Sequence, residues 1–283
     1  MNLLRHIRAC NSYRPERFLP LLLDGERVGY LRRDNAEILR RFPAEFEIGA
    51  DAAEFRVKGD AAARTAALDA VVEALVAEGL VAKWRNEVFA VSPRWGVPPV
   101  FNLDRGAVSF FGVRAYGVHM NGYRRETDGI WLWIGRRSPV KLVSPGKLDN
   151  LVAGGMGGGL GAAETLVKEA EEEASIPASL VASARAVGAV SYKMEVPQGL
   201  RDDVLFLYDL ETPASFEPQN RDGEIVEFML MKASEALARV GDGDDFKFNV
   251  NLTIIDFALR HGFLTPESPD YMALLVGLHR GDE

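Results

Sequence analysis

Residues 154–176 read Gly154-Gly155-Met156-Gly157-Gly158-Gly159-Leu160-Gly161-Ala162-Ala163-Glu164-Thr165-Leu166-Val167-Lys168-Glu169-Ala170-Glu171-Glu172-Glu173-Ala174-Ser175-Ile176. A glycine-rich loop runs straight into a short acidic helix. On a 3.6-residue period Glu169, Glu172 and Glu173 share one face. Leu166, Val167, Ala170 and Ala174, with Ala163, share the other. The helix therefore has a side for a core and a side of acids. Like charges three and four residues apart destabilise a helix by a few tenths of a kcal/mol per pair, roughly. Lys168 offsets part of that by reaching Glu164 and Glu172, but it cannot neutralise the whole face. A hard divalent cation can, because Mg²⁺ and Mn²⁺ prefer carboxylate oxygens. A charge run is commonly just a solvated face. The one-sided clustering, the glycines leading into it and the apolar anchor argue for rigidly held acids instead.

This pattern resembles the signature of the Nudix hydrolases: a Gly-led loop, then a helix reading basic-Glu-apolar-x-Glu-Glu-x-small-apolar, here Lys168 to Ile176. Lys168 stands where the family has arginine, Ser175 where it has a late glycine, and Leu160 where it has a glutamate. Glu164 is displaced toward the helix start. Gly-Gly-x-x-x-x-Leu-Gly followed by Glu-Thr-Leu-Val-Lys-Glu-Ala looks like one branch, sometimes fused to thiamine pyrophosphokinase and implied to act on thiamine diphosphate derivatives. The resemblance covers residues 110–265 and implies a Nudix-like α/β/α sandwich with a mixed sheet.

The resemblance also implies a role for each acid. Glu169, Glu172 and Glu173 are carried over as metal ligands and catalytic groups for Mg²⁺, with Mn²⁺ as a substitute. Their spacing on one helix face fits that assignment. Hydrolysis of a diphosphate needs charge neutralised on phosphoryl oxygens, a water activated and a leaving group stabilised. An acid from another loop would assist; Glu224, after Asp222-Gly223, is the candidate. Glu164, at the helix start, reads as a cap that complements the helix dipole. Substrate-binding candidates are the glycine amides, Gly155 and Gly157 among them, and two loop cations, Lys147 and Arg201. Trp131, Trp133, Tyr192 and Phe110 are available to wall an aromatic pocket, though each also suits a core.

Other readings of the glycines are weaker. Gly157-x-Gly159-x-x-Ala162 matches a loose dinucleotide fingerprint. A P-loop needs Gly-Lys-Ser/Thr, which does not follow. A plain hinge leaves the acids unexplained.

The chain has 283 residues, 47% of them apolar, enough for two domains with a sizeable core. The formal net charge of −8 argues against a nucleic-acid or anionic-membrane surface binder. A small anionic substrate remains compatible, since a metal and a few local cations suffice. Cys10 is the single cysteine, so no intrachain disulfide or Cys-rich zinc site forms. No apolar run is long enough to span a bilayer, and the N-terminus lacks the apolar stretch of a signal peptide. A cytoplasmic protein is the expectation, with a homodimer left open.

Residues 1–105 read as a small α+β N-terminal domain, a packing, lid or substrate-selecting unit. It holds a hairpin over 18–23 and 26–31 with an Asp24-Gly25 turn. Helices are expected over 35–42 and over 62–78, the latter with a Leu68, Val71, Val72, Leu75, Val76 stripe. A strand is expected over 84–91. The Pro/Gly-rich stretch 92–99 is the linker candidate, with the boundary between it and Gly106. The hydrolase-like domain, 106–283, has expected strands over 113–120, 129–135, 186–192, 204–210 and 223–231. Polar loops are expected over 121–128 and 193–203, and helices over 233–240 and 251–261.

The functional expectation is a Mg²⁺-dependent hydrolase of a diphosphate linkage in a small organic diphosphate, thiamine diphosphate or an oxidised derivative, giving the monophosphate and phosphate. A nucleotide-sugar or dinucleotide pyrophosphatase, and a non-catalytic Nudix-like binding module, are the alternatives.

Overall fold

A computed structural model describes residues 1–82 and 87–279. In chain order the elements are α1 (Leu4–Cys10), a 3-10 turn (Pro15–Arg17), β1 (Phe18–Leu23), β2 (Glu26–Arg32), α2 (Arg33–Leu39), β3 (Phe46–Ile48) and β4 (Ala53–Phe55). α3 (Ala61–Ala77), β5 (Val88–Val91), β6 (Phe101–Asp104) and α4 (Val108–Phe111) follow. The remainder is β7 (Arg114–Glu126), β8 (Gly129–Arg137), β9 (Leu148–Asp149), β10 (Val152–Gly155), α5 (Ala162–Ala174), α6 (Ala178–Val181), β11 (Arg185–Val196), β12 (Gly199–Glu211), β13 (Ile225–Lys232), α7 (Ala233–Asp242), α8 (Val250–Arg260) and α9 (Tyr271–Gly277).

A mixed sheet runs β11-β12-β7-β8-β13, with β10 added to β7 and β9 to β8. β12 and β7 are parallel, while the other neighbours in this sheet are antiparallel. Alternation along each strand sends side chains to two different cores. Val118, Met120, Trp133 and Val152 meet Leu166, Ala170 and Ala174 of α5 and Val181 of α6. Leu132, Ile134, Val190, Tyr192, Leu205 and Leu207 meet α1, α7, α8 and α9. The result is an α/β/α sandwich. Leu3, Ile7 and Cys10, at the start of the chain, are buried in the second of these cores.

A third core gathers a four-stranded sheet, β2-β1-β4-β3, with α2, α3, β5, β6 and α4. The Asp24-Gly25 turn has positive φ at both residues, 50° and 83°, as a two-residue hairpin requires. α3 carries the expected stripe and is capped by Asp60, whose carboxylate accepts from Ala63 N at 2.9 Å.

Several expectations are corrected. The stretch 92–99 is no linker: β5 and β6 on either side of it pair antiparallel, Val88↔Asp104 through Val91↔Phe101, within one core. The part of the expected strand at 84–86 lies outside the described residues. Residues 121–126 continue β7, and 193–196 and 199–203 belong to β11 and β12. Some of their polar side chains, Asn121, Lys193 and Asp202 among them, are buried, while Arg125 and Glu126 are exposed. Asn121 bonds Asp209, and Tyr192 bonds Asp203.

Candidate active site

α5 crosses β10 with Leu166, Ala170 and Ala174 down; contrary to expectation Glu173 is buried on this same side, while Val167 and Ala163, expected on the core side, are exposed. Gly161 precedes the helix; its N–H donates to the Glu164 carboxylate at 2.8 Å, so Glu164 caps the first turn. The helix ends at Ser175 in the left-handed conformation, φ 54°. Its Oγ donates to Gln219 O at 2.7 Å and ties the 212–224 loop to the helix end.

Glu173 is buried, at 5% exposure, and its Oε2 accepts from Ala153 N at 2.8 Å. Burial pushes its carboxyl well above the usual carboxylate range. The charges of Asp149 and Glu169 push the same way, against the Ala153 N–H and the Lys247 ammonium. Glu169 lies across Gly154: a Cβ there would run into the glutamate side chain and force it to move. Burial also raises Glu169, with Glu172 and Glu224 adding negative charge and Lys168 opposing. Lys168 Nζ bridges Glu169 at 3.0 Å and Glu172 at 2.7 Å.

Glu224 immediately precedes β13, beside this face. It forms an ion pair with Lys141, its N–H donates to Asp222 Oδ1 at 2.8 Å, and its carbonyl accepts from Ser138 N at 2.8 Å. Lys141 is a cation that sequence reading missed; only the return of the 138–147 loop to β13 brings it there. Arg221 and Asp222 were missed likewise. With Lys168, Glu171 and Glu172 they line an open cavity of about 460 Å³.

The other expected substrate residues separate from the acids. Lys147 Nζ donates to Asp244 O at 2.5 Å, in a groove it shares with Arg136 and Arg239. Arg201 sits over the Phe248 ring beside Asp203, in the α8 core rather than against α5. Gly157 is open. Gly155 is roofed by the Phe89 ring, 2.8 Å from where a Cβ would stand. The four aromatics do not form one wall. Phe110 is in the β1–β4 core, and Tyr192 is buried under α8. Trp133 donates to Thr212 Oγ1, and Trp131 to Asp128 at the hairpin end.

Among the described residues, no group of three or more His, Cys, Asp or Glu side chains converges closely enough to hold a metal ion. The chemistry of the donors nevertheless fits a hard divalent cation. Glu169, Glu172, Glu173 and Glu224 offer oxygen ligands only, two of them are raised by mutual repulsion and burial, and the Lys168 ammonium already bridges two of them.

The chain is 39% identical over 98% of its length to Nudix hydrolase 20, chloroplastic, of Arabidopsis thaliana, covering 77% of that protein. It is also 39% identical to Nudix hydrolase 24, chloroplastic, of the same plant, over 94% of this chain and 73% of that one. The chain belongs to the Nudix hydrolases. It is accordingly a diphosphohydrolase. Residues 2–115 match a domain of unknown function, DUF4743. Among solved structures, a MutT protein from Methanosarcina mazei is similar over 52% of this chain and 95% of its own, with 15% identity and a TM-score of 0.40.

Proposed function

We propose that this Nudix hydrolase cleaves the diphosphate linkage of a small organic diphosphate in a Mg²⁺-dependent reaction, releasing the monophosphate and phosphate. The observation that supports it is the buried Glu173, fixed by the Ala153 N–H, beside Glu169 seated over Gly154. Burying an acid with other acids as neighbours costs stability, and a bound cation offsets that cost.

Glu169, Glu172 and Glu173 would hold the metal, with Glu224 from the facing loop. When bound, the metal supplies charge neutralisation on the phosphoryl oxygens and a more acidic water. The chain does the rest. Glu224 or one of the helix acids orients the attacking water and takes its proton. One P–O bond forms from that water, the bridging P–O bond breaks, and the leaving phosphate departs with its electron pair. Lys168 and Lys141 turn from carboxylate partners into cations that stabilise the developing charge.

The N-terminal unit, 1–105, belongs to this reading as the wall of the glycine loop. Val88 O accepts from Gly158 N at 2.6 Å, and Phe89 packs on Gly155. That contact supports a lid or substrate-selecting role. The organic half is narrowed less. Thiamine diphosphate and its oxidised forms rest on the sequence resemblance alone, and nucleotide sugars and dinucleotides are the alternatives.

The test follows products with Mg²⁺ for wild type and Glu173→Gln: inorganic phosphate from thiamine diphosphate and its oxo derivatives, and phosphomonoesters from ADP-ribose, nucleotide sugars and dinucleotides, which release no free phosphate when the diphosphate is cut. Turnover of one class, lost in the variant, supports the proposal and names the substrate. No turnover of any diphosphate with Mg²⁺ or Mn²⁺ would sink it.

A further inference from the structure

The strand that carries this arrangement is anchored at its start by the buried Leu151 and Val152, but the three residues beneath the acids, Ala153-Gly154-Gly155, offer little to pack. β10 reads Val152-Ala153-Gly154-Gly155. Glycine-rich strands specify register weakly, because they offer few side chains to pack. Register matters here: a slip of one residue would move another N–H to Glu173 and another Cα beneath Glu169.

The bend before β10 is held from behind by a buried chain of hydrogen bonds whose direction can be read. Asp209, paired with Arg260 at 2.5 Å, only accepts, so Asn121 turns its Nδ2 toward it at 3.0 Å. Asn121 Oδ1 is thereby left facing Asn150 and accepts from its Nδ2 at 2.7 Å. Asn150 Oδ1 then accepts from His119 Nδ1 at 2.8 Å and faces Thr253 Oγ1 at 2.9 Å, whose single proton is shared between it and the Val250 carbonyl at 2.9 Å. His119, Asn121, Asn150, Thr253 and Asp209 are all buried. They come from β7, the β9–β10 bend, α8 and β12. Next to Asn150, Asp149 is clamped by Arg137 at 2.6 Å and Lys247 at 3.2 Å, and accepts the Asn150 N–H at 2.9 Å.

Burying so many polar groups is a poor route to stability alone, since an apolar core of the same volume commonly serves as well. A fully satisfied network does specify a unique arrangement. We propose that Asn150 is a positioning residue for the diphosphatase reaction. By locking the β9–β10 bend to β7 and α8, it fixes the register in which Ala153 N–H and Gly154 present Glu173 and Glu169 to the metal and substrate. Thr253 is its support on α8. The inference rests on the reading of those glutamates given above.

Asn150→Ala, Thr253→Val and Thr253→Ser test it, with kcat, KM, half-saturating Mg²⁺ and melting temperature measured for each. Thr253→Val keeps the shape and loses the hydroxyl, whereas Thr253→Ser keeps the hydroxyl. The expected result is a loss of about 10- to 100-fold in kcat and a rise in half-saturating Mg²⁺ for Asn150→Ala and Thr253→Val, the scale seen when groups supporting a metal's ligands are removed. KM stays near the wild-type value, and Thr253→Ser recovers most of the loss. Folded variants with wild-type kcat and Mg²⁺ requirement would overturn the inference. So would a loss that disappears at lower temperature along with the unfolded fraction. Should wild type turn over no diphosphate, the substrate reading fails, and calorimetric Mn²⁺ binding decides this one. Weaker binding to Thr253→Val supports it; equal binding, or none by wild type, refutes it.

Discussion

A Cβ on Gly154 would collide with the Cγ and Cδ of Glu169 and stand 2.7 Å from its Oε2. The first glycine of the signature is therefore a seat for a glutamate on the helix that follows it fifteen residues later. Its backbone φ is not in the left-handed region, so the requirement is space, not conformation.

Gly154→Ala is expected to displace Glu169. Overpacking of this kind costs about 1–3 kcal/mol, and loss of a placed acid costs roughly 100-fold or more in rate. Gly157→Ala is the control, since a Cβ there meets nothing within 4 Å and should leave the melting temperature unchanged. Thermal melts and steady-state kinetics of the two variants separate space from chain flexibility.

Glu173→Gln keeps an oxygen for the Ala153 N–H, so the fold should survive. Without metal the variant should melt no lower than wild type, because a buried carboxyl in an acidic neighbourhood is replaced by a neutral amide. Turnover should fall by about 100-fold or more, the usual contribution of a placed acid or base. A variant that melts much lower would make Glu173 primarily structural.

Phe89→Ala removes the ring that roofs Gly155. Truncating a buried Phe costs roughly 3–5 kcal/mol in general. Here the loss should also reach activity, since Gly158 hangs from the neighbouring Val88 carbonyl. Hydrogen exchange at 155–161 that quickens along with β5 would show the glycine loop depending on the N-terminal unit. Unchanged exchange there would refute that dependence.

His119 gives stability a pH dependence of definite sign. Burial, with Lys247 and Arg137 nearby, lowers its pKa to about 4, against Asp149 and the Asn150 hydrogen bond. The unfolded chain takes up the proton more readily near pH 6.5. The stabilisation from a neutral His119 is present above about pH 6.5 and is lost as the pH falls toward about 4, by roughly 3 kcal/mol at most. His119→Asn keeps a donor near Nδ1 and removes the titration. The stability lost between pH 7 and pH 4.5 should be smaller for that variant than for wild type, as read by denaturant melts; an unchanged pH slope would refute the assignment.

The hairpin at 18–31, the stripe of α3 and the two-sided helix α5 were legible because each is set by local rules: turn chemistry, a 3.6-residue period, a cap. Glu164 as a cap was legible for the same reason. The polar runs at 121–128 and 193–203 suggest loops, since polarity without alternation signals solvent, yet only 127–128 and 197–198 turn. Nothing local says that Asn121 will find Asp209 88 residues away, or Tyr192 find Asp203 across a hairpin.

Sequence alone determined that three glutamates lie close together on one short helix, that Leu166, Ala170 and Ala174 anchor it, that glycines precede them, and that the chain resembles a Nudix hydrolase. These follow from spacing along one element, where backbone geometry leaves little choice. Sequence did not show that Glu173 goes down with the core residues while Val167 and Ala163 stay out. Tertiary structure alone decided which cations meet the acids. Lys141 reaches Glu224 because its loop folds back to β13, while Lys147 and Arg201, as close in sequence, turn to Asp244 and to Phe248. It also decided that the strand under the acids is pinned from α8 through Asn150. Contacts between distant segments depend on the packing of the whole sheet, and no residue pattern along one strand encodes them.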